Sequence, residues 1–126
     1  MQQLQTTEPV EEYEPASLAH EIVDIASDRK AADIVMLDIR KQTTFADYFV
    51  IMSGNSGVQV RALSDNIRRR LLEKGVRPLR SEGSAEDGWV LMDYGSVVVH
   101  IFRPEQRAYY GLEQLWADAI TVVRVQ

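Results

Sequence analysis

Runs of apolar residues alternate with amphipathic stretches along the chain, and this pattern predicts a domain that mixes helices with strands. After Pro15, apolar residues recur at helical spacing, which predicts a first helix that begins near this proline. Ala32–Ile39 and Asp47–Ser53 are instead nearly continuous apolar runs of strand length. Continuous apolarity is typical of strands that are covered on both faces, so we expect both runs in the interior of a sheet.

A second helix is predicted over residues 57–74, after a glycine-rich turn. Ser56 is followed three residues later by Gln59, the capping-box pattern in which two side chains satisfy backbone N–H groups at a helix start. Gly75 is typical of the residue that ends a helix, because it adopts a positive φ at little cost. The apolar stripe of this predicted helix comprises Val60, Leu63, Ile67, Leu71 and Leu72.

Residues 88–104 contain two apolar runs and predict a β-hairpin that turns at Gly95. Because side chains alternate along a strand, Trp89 and Asp93 fall on one face of the hairpin and Tyr94 falls on the other. Both faces are rich in large apolar groups. One face is therefore expected in the core, and the other must meet helices or a partner protein.

The elements together predict one α/β domain over residues 15–119, with a mixed five-stranded sheet flanked by helices. The third strand, Arg77–Gly83, is expected at a sheet edge because Pro78 cannot donate a backbone hydrogen bond. Residues 1–14 are predicted to be a flexible acidic tail. Residues 120–126 form a C-terminal end, either as a final strand or as a loose end.

The composition of the chain excludes some classes of function and disfavours others. The chain has 126 residues, a net charge of −5 and no cysteine, which excludes disulfides, zinc–thiolate sites and cysteine catalysis. Free nucleic-acid binders are more often basic, so we expect no direct nucleic-acid specificity and a better match to a basic protein. No apolar stretch approaches the roughly 20 residues of a membrane span, and no signal peptide is evident, so we expect a cytoplasmic protein without membrane contact.

The candidate catalytic groups do not match a known catalytic pattern. A Ser-His-Asp arrangement could draw on Ser53 or Ser56, His100 and Asp93, but the Gly-x-Ser-x-Gly turn of such hydrolases is absent. Metal-dependent phosphoryl transfer needs paired carboxylates, and the chain has no Asp-x-Asp. His20 and His100 lie far apart without metal-ligand spacing. We predict no catalytic residue, no metal ligand and no cofactor.

Two features leave other functions open. The turn Gly54–Gly57 joins a strand to a helix, and backbone N–H groups at such a helix start can hold a phosphate. A divergent nucleotide-binding or nucleotidyltransferase-like enzyme that uses this turn is therefore the alternative function. The basic cluster of the second helix suits a solvated surface, and contact with a nucleic acid or an acidic protein is the alternative. It lacks interleaved aromatic residues that would stack on bases. It comprises Arg61, Arg68, Arg69 and Arg70.

Three segments resemble the ribosomal silencing factor family, also called Iojap-like proteins. They are DYFVIMSGNSGVQVRAL at 47–63, GWVLMDYGSVVVHIF at 88–102 and RAYYGLEQLW at 107–116, in the order and spacing of the family. The resemblance implies a small α/β fold related to the nucleotidyltransferase architecture, without its metal-binding carboxylates.

The resemblance also implies a function without enzymatic chemistry. Members of the family bind ribosomal protein fourteen on the joining face of the large ribosomal subunit. They block association with the small subunit and so lower translation under nutrient limitation. Matched residue by residue, Trp89, Asp93 and Tyr94 are the partner-binding residues that the resemblance implies. The apolar hairpin face and the C-terminal end could also support a homodimer.

Overall fold

The structure, a computed structural model, describes residues 13–126. The predicted acidic tail therefore lies outside the described residues, except for its last two positions. The elements in chain order are α1 Pro15–Asp28, β1 Ala32–Asp38, β2 Tyr48–Ser53, α2 Gly57–Leu72, β3 Arg80–Ser84, β4 Trp89–Asp93, β5 Val97–Phe102, α3 Pro104–Tyr110, α4 Leu112–Leu115 and β6 Ile120–Val125.

The strands form a single mixed sheet in the order β3-β4-β5-β2-β1-β6. Strands β2 and β5 pair in parallel, and the other neighbours pair antiparallel. The predicted mixed α/β domain is confirmed, with six strands in the sheet rather than five. The additional strand is β6, in the segment predicted as a C-terminal end, because its run of β-branched residues pairs along β1.

The predicted interior position of the first two strands is confirmed, because both faces of the sheet are covered. Helices α1 and α2 pack on one face and enclose the larger apolar core. Helices α3 and α4, with the residues that follow them, lie against the other face and shield a smaller core. The buried members of this smaller core are Val35, Leu37, Ile39, Ala46, Ile51 and Phe102.

Both predicted capping residues bond backbone N–H groups at the start of α2, but Gln59 accepts from the residue before the N-cap instead of from Ser56 itself. Ser56 Oγ accepts a hydrogen bond from the Gln59 backbone N–H at 3.1 Å, and Gln59 Oε1 accepts one from the Asn55 N–H at 2.7 Å. The amide of Gln59 also donates to the Lys30 carbonyl at 3.2 Å, so it ties this helix start to the α1–β1 connection. The helix ends slightly earlier than predicted, and Gly75 follows with φ +81°.

Candidate functional site

Strand β4 has two different sides, as the alternation of its residues predicted. Val90 and Met92 are buried beneath α1 and α2, whereas the other β4 side chains are half-buried on the opposite face. Val98 of β5 lies directly opposite Asp93 and extends the same surface. We call this surface the hairpin face, and define it by Trp89, Leu91, Asp93 and Val98.

Trp89 is the largest residue of the hairpin face and lies within an aromatic cluster. Its ring centroid is 4.9 Å from that of Phe102 and 4.6 Å from that of Tyr110. Its indole N–H donates a hydrogen bond to Nδ1 of His100 at 3.2 Å. Packing on two sides and one directional bond hold the indole in place, while part of its surface stays accessible.

A cleft of about 400 Å³ opens beside this tryptophan. Its lining combines aromatic and apolar walls with two carboxylates, and comprises Glu82, Gly83, Asp87, Trp89, Leu91 and Tyr110. Such a surface can bind a protein partner through apolar contact while acidic groups at its rim favour positive charge.

Asp93 stands at the other end of β4, where the hairpin turns. Its Oδ1 accepts a hydrogen bond from the Gly95 N–H at 2.8 Å, which stabilises the turn. Its Oδ2 accepts from Arg80 Nε at 3.3 Å, and the same guanidinium bonds Glu82 at 2.7 Å. The carboxylate therefore has a structural contact on one oxygen and a half-exposed ion pair on the other.

Tyr94 is not brought together with Trp89 and Asp93. It is 8% exposed on the opposite side of the sheet, within the larger core. Burial raises the pKa of its hydroxyl to about 12, and that hydroxyl has no hydrogen-bond partner among residues 13–126. As a partner-binding residue Tyr94 stays a prediction, and its side chain faces the core in this conformation.

His100 lies in the middle of β5, is 3% exposed and has a pKa that burial lowers to about 3. The neutral ring accepts from Trp89, and the Ser53 hydroxyl accepts from Arg107 at 2.9 Å instead of approaching a base. The Ser-His-Asp arrangement considered from the sequence is thus not assembled. Within the described chain, no group of three or more His, Asp or Glu side chains is placed to hold a metal ion.

A charged contact that was not predicted from the sequence fastens α3 and α4 over the sheet. Arg107 forms a bidentate pair with Glu113, both bonds at 2.9 Å, across the left-handed residue Gly111. The hydrogen bond from Arg107 holds the pKa of the Glu113 carboxyl below its usual value. An arginine and a glutamate six residues apart are not neighbours within one helix or along one strand, so no local pattern predicts the pair.

The turn Gly54–Gly57 uses several of its polar groups within the fold. The Gly54 N–H donates to the Phe102 carbonyl at 2.8 Å, and the next two residues take part in the cap of α2. The basic side chains of α2 likewise contact neighbours on the surface, for example Arg61 with Glu86 at 3.1 Å. Both features have structural roles in this arrangement.

The fold and the hairpin face define a small α/β domain with a partly exposed aromatic surface. The family model "Ribosomal silencing factor during starvation" matches residues 12–126. The chain is 43% identical to a ribosomal silencing factor of Halalkalibacterium halodurans, over 79% of this chain and 86% of that protein. It is 46% identical to the Bacillus subtilis ribosomal silencing factor, over 73% and 78%.

A crystal structure of a Chromobacterium violaceum protein superposes with a TM-score of 0.79 at 36% identity, covering 82% of this chain and 87% of that one. The chain therefore belongs to the ribosomal silencing factor family. In the part of the chain that the structure describes, the helices lack the length and apolar character needed to cross a membrane.

Proposed function

We propose that this protein is a cytoplasmic translational repressor that docks on the large ribosomal subunit through ribosomal protein fourteen and blocks joining of the small subunit. Membership of the ribosomal silencing factor family supports the class of function. The observation that carries the docking surface is the half-exposed Trp89 within the aromatic cluster of the hairpin face.

Charge and surface chemistry support a basic protein as the partner. The net charge of −5 favours encounter with a positively charged surface and suppresses non-specific attraction to phosphate backbones. Tryptophan is enriched among residues that dominate interface energies, because it buries a large rigid surface at low entropic cost. Trp89 and Asp93 are the direct contacts of this proposal. Tyr94 supports their strand from the core side.

Repression by this route needs no bond to be made or broken. A folded domain seated on the joining face excludes the other subunit by its volume. The contact blocks joining for as long as it lasts. Affinity differences between related complexes lie mostly in the dissociation rate, so the lifetime of the complex matters most for repression.

The test is co-sedimentation of the protein with isolated large and small ribosomal subunits, followed by light scattering as the subunits are mixed. We expect binding to the large subunit alone and loss of the joining signal. Trp89→Ala should bind about 30-fold more weakly, the effect of losing roughly 2 kcal/mol at an interface hot spot. Val58→Ala is the control, because Val58 is an exposed apolar residue at the start of α2, which packs on the other side of the sheet.

Circular dichroism of each variant separates loss of docking from loss of folding. A folded Trp89→Ala protein that binds as tightly as the Val58→Ala control would contradict the assignment of the hairpin face. No binding of the unmodified protein at low and moderate salt would refute the function itself. A rise in melting temperature with ATP or GTP and magnesium would then favour the alternative, a nucleotide-binding enzyme that uses the turn Gly54–Gly57.

A further inference from the structure

His100 has no role in the chemistry considered so far, yet its buried ring contacts Trp89 of the hairpin face. Leu91 lies directly opposite His100 across the hairpin, so Trp89 is its diagonal neighbour on the same face of the sheet. Diagonal pairs are within reach of aromatic side chains. The ring of His100 also meets Phe49 edge to face at 4.8 Å and lies parallel to Phe102 at 6.2 Å.

The hydrogen bond between the two rings defines which nitrogen carries the proton. Trp89 Nε1 can only donate, so Nδ1 of His100 accepts and its proton resides on Nε2. Desolvation keeps the ring neutral near neutral pH. Nε2 has no partner among residues 13–126, so the bond from Trp89 is the one directional contact made by this buried ring within them.

We infer that His100 is a positioning residue for docking: its Nδ1 holds the indole of Trp89 in the orientation that the partner meets. This inference rests on the proposed function. Without the acceptor, the indole N–H would lose this bond, and the ring would gain by turning toward water. The bound orientation would then have to be selected at the moment of docking, which lowers affinity.

A matched pair of substitutions isolates the acceptor from the packing. Asparagine and leucine have the same branched skeleton, so His100→Asn and His100→Leu remove similar ring volume. Only asparagine keeps an acceptor at the position of Nδ1. Because asparagine also buries an amide with unmet hydrogen bonds, His100→Leu is expected to be the more stable variant. A purely structural role therefore ranks leucine at least equal to asparagine in binding, whereas positioning ranks asparagine higher.

Two readouts decide between these rankings. Binding to the isolated large subunit should be within about twofold of the unmodified protein for His100→Asn and about two- to tenfold weaker for His100→Leu. Hydrogen exchange of the indole N–H groups, followed by nuclear magnetic resonance, should show Trp89 protected in the unmodified protein and in His100→Asn. In His100→Leu the same signal should exchange faster.

Equal or tighter binding of His100→Leu relative to His100→Asn would overturn the inference. If neither variant folds, the unmodified protein still provides a test, since an unprotected Trp89 indole N–H would show that His100 does not hold it. Absence of binding by the unmodified protein refutes the proposed function, and with it the docking role of His100. Weak binding confined to His100→Leu, with docking of the unmodified protein intact, supports both.

Discussion

Acidification from about pH 7 to about pH 5 should destabilise this protein through His100. Burial lowers the pKa of the ring from 6.5 to about 3, so between these values the unfolded chain binds a proton that the folded chain does not. The free energy of unfolding therefore rises with pH in this window. The contribution is fully present above the unfolded pKa and is lost progressively as pH falls through the window.

The size of this loss in the free energy of unfolding follows from the difference between the unfolded and folded pKa values of His100. One group with these two pKa values changes the free energy of unfolding by about 1.4 kcal/mol per pH unit inside the window. Between pH 7 and pH 5 the loss is about 2 kcal/mol, because little proton uptake occurs above the unfolded pKa. A domain of this size has only about 5–15 kcal/mol of stability, so the loss is large enough to measure.

Urea unfolding followed by circular dichroism at several pH values is the assay, with His100→Asn as the control. The variant cannot take up this proton, so its free energy of unfolding should change far less between pH 7 and pH 5. The hydrogen-bonded carboxyls of Asp38 and Glu113 do not obscure the comparison. Their pKa values lie below the ordinary 3.8 and 4.5, so their contributions are lost at lower pH.

Equal losses in the two proteins would refute the reasoning. Other groups would then account for the pH dependence, and the ring of His100 would have to accept a proton in the folded state. A buried, neutral histidine beside Trp89 would no longer describe the site. The same measurement therefore also tests whether the ring is neutral, which the hydrogen bond from the indole to Nδ1 requires.

Four further substitutions test the scaffold by urea unfolding. Gly83→Ala should cost more than about 2 kcal/mol, because φ is +82° and the added methyl would lie 2.0 Å from the Trp89 carbonyl oxygen. Gly75→Ala, with φ +81° and no atom within 4 Å, should cost only about 1 kcal/mol, and equal costs would show that the clash relaxes. Ser56→Ala should cost about 1 kcal/mol by removing the N-cap of α2, and no loss would show that water replaces the cap. Arg107→Ala should cost about 1–3 kcal/mol because it leaves polar partners without their bonds, and a neutral effect would show that this contact is dispensable.

Local chemistry made the interior of the fold predictable. Continuous apolar runs at Ala32–Ile39 and Asp47–Ser53 indicated strands covered on both faces, and the structure confirms this. The pair Ser56 and Gln59 placed the start of α2, because capping depends on residues only three positions apart. The strand predicted over Arg77–Gly83 was placed at an edge because it contained Pro78. The observed β3 is an edge strand, but it begins at Arg80, after the proline.

Features that depend on contacts between distant residues were harder to predict from the sequence. The segment 120–126 has β-branched character, but its pairing with β1 joins residues more than eighty positions apart, which no local pattern reveals. The Arg107–Glu113 pair depends on the left-handed corner at Gly111. Leu115 follows Leu112 at helical spacing, yet it is exposed because α4 ends after a single turn.

The contact between Trp89 and His100 is only partly predictable from the sequence. The turn at Gly95 pairs Tyr94 with Val97, and the backbone bond from Tyr94 N–H to the Val97 carbonyl at 2.9 Å agrees with that register. Counting outward along the two strands places Leu91 opposite His100 and leaves Trp89 as the diagonal neighbour. Once the turn is placed at Gly95, the sequence therefore predicts that the two rings lie close together.

The hydrogen bond between those rings does not follow from the sequence, because it depends on what covers the hairpin face. An imidazole at the same register on an open sheet would bond to water and keep its ordinary pKa. Here the ring is enclosed by Phe49, Phe102 and Trp89, so a hydrogen bond to Nδ1 has to come from within the protein. The indole N–H is that donor, and the bond satisfies the indole and Nδ1, whereas Nε2 has no partner among residues 13–126. The aromatic residues of the proposed docking surface thus also hold the histidine as a fixed acceptor.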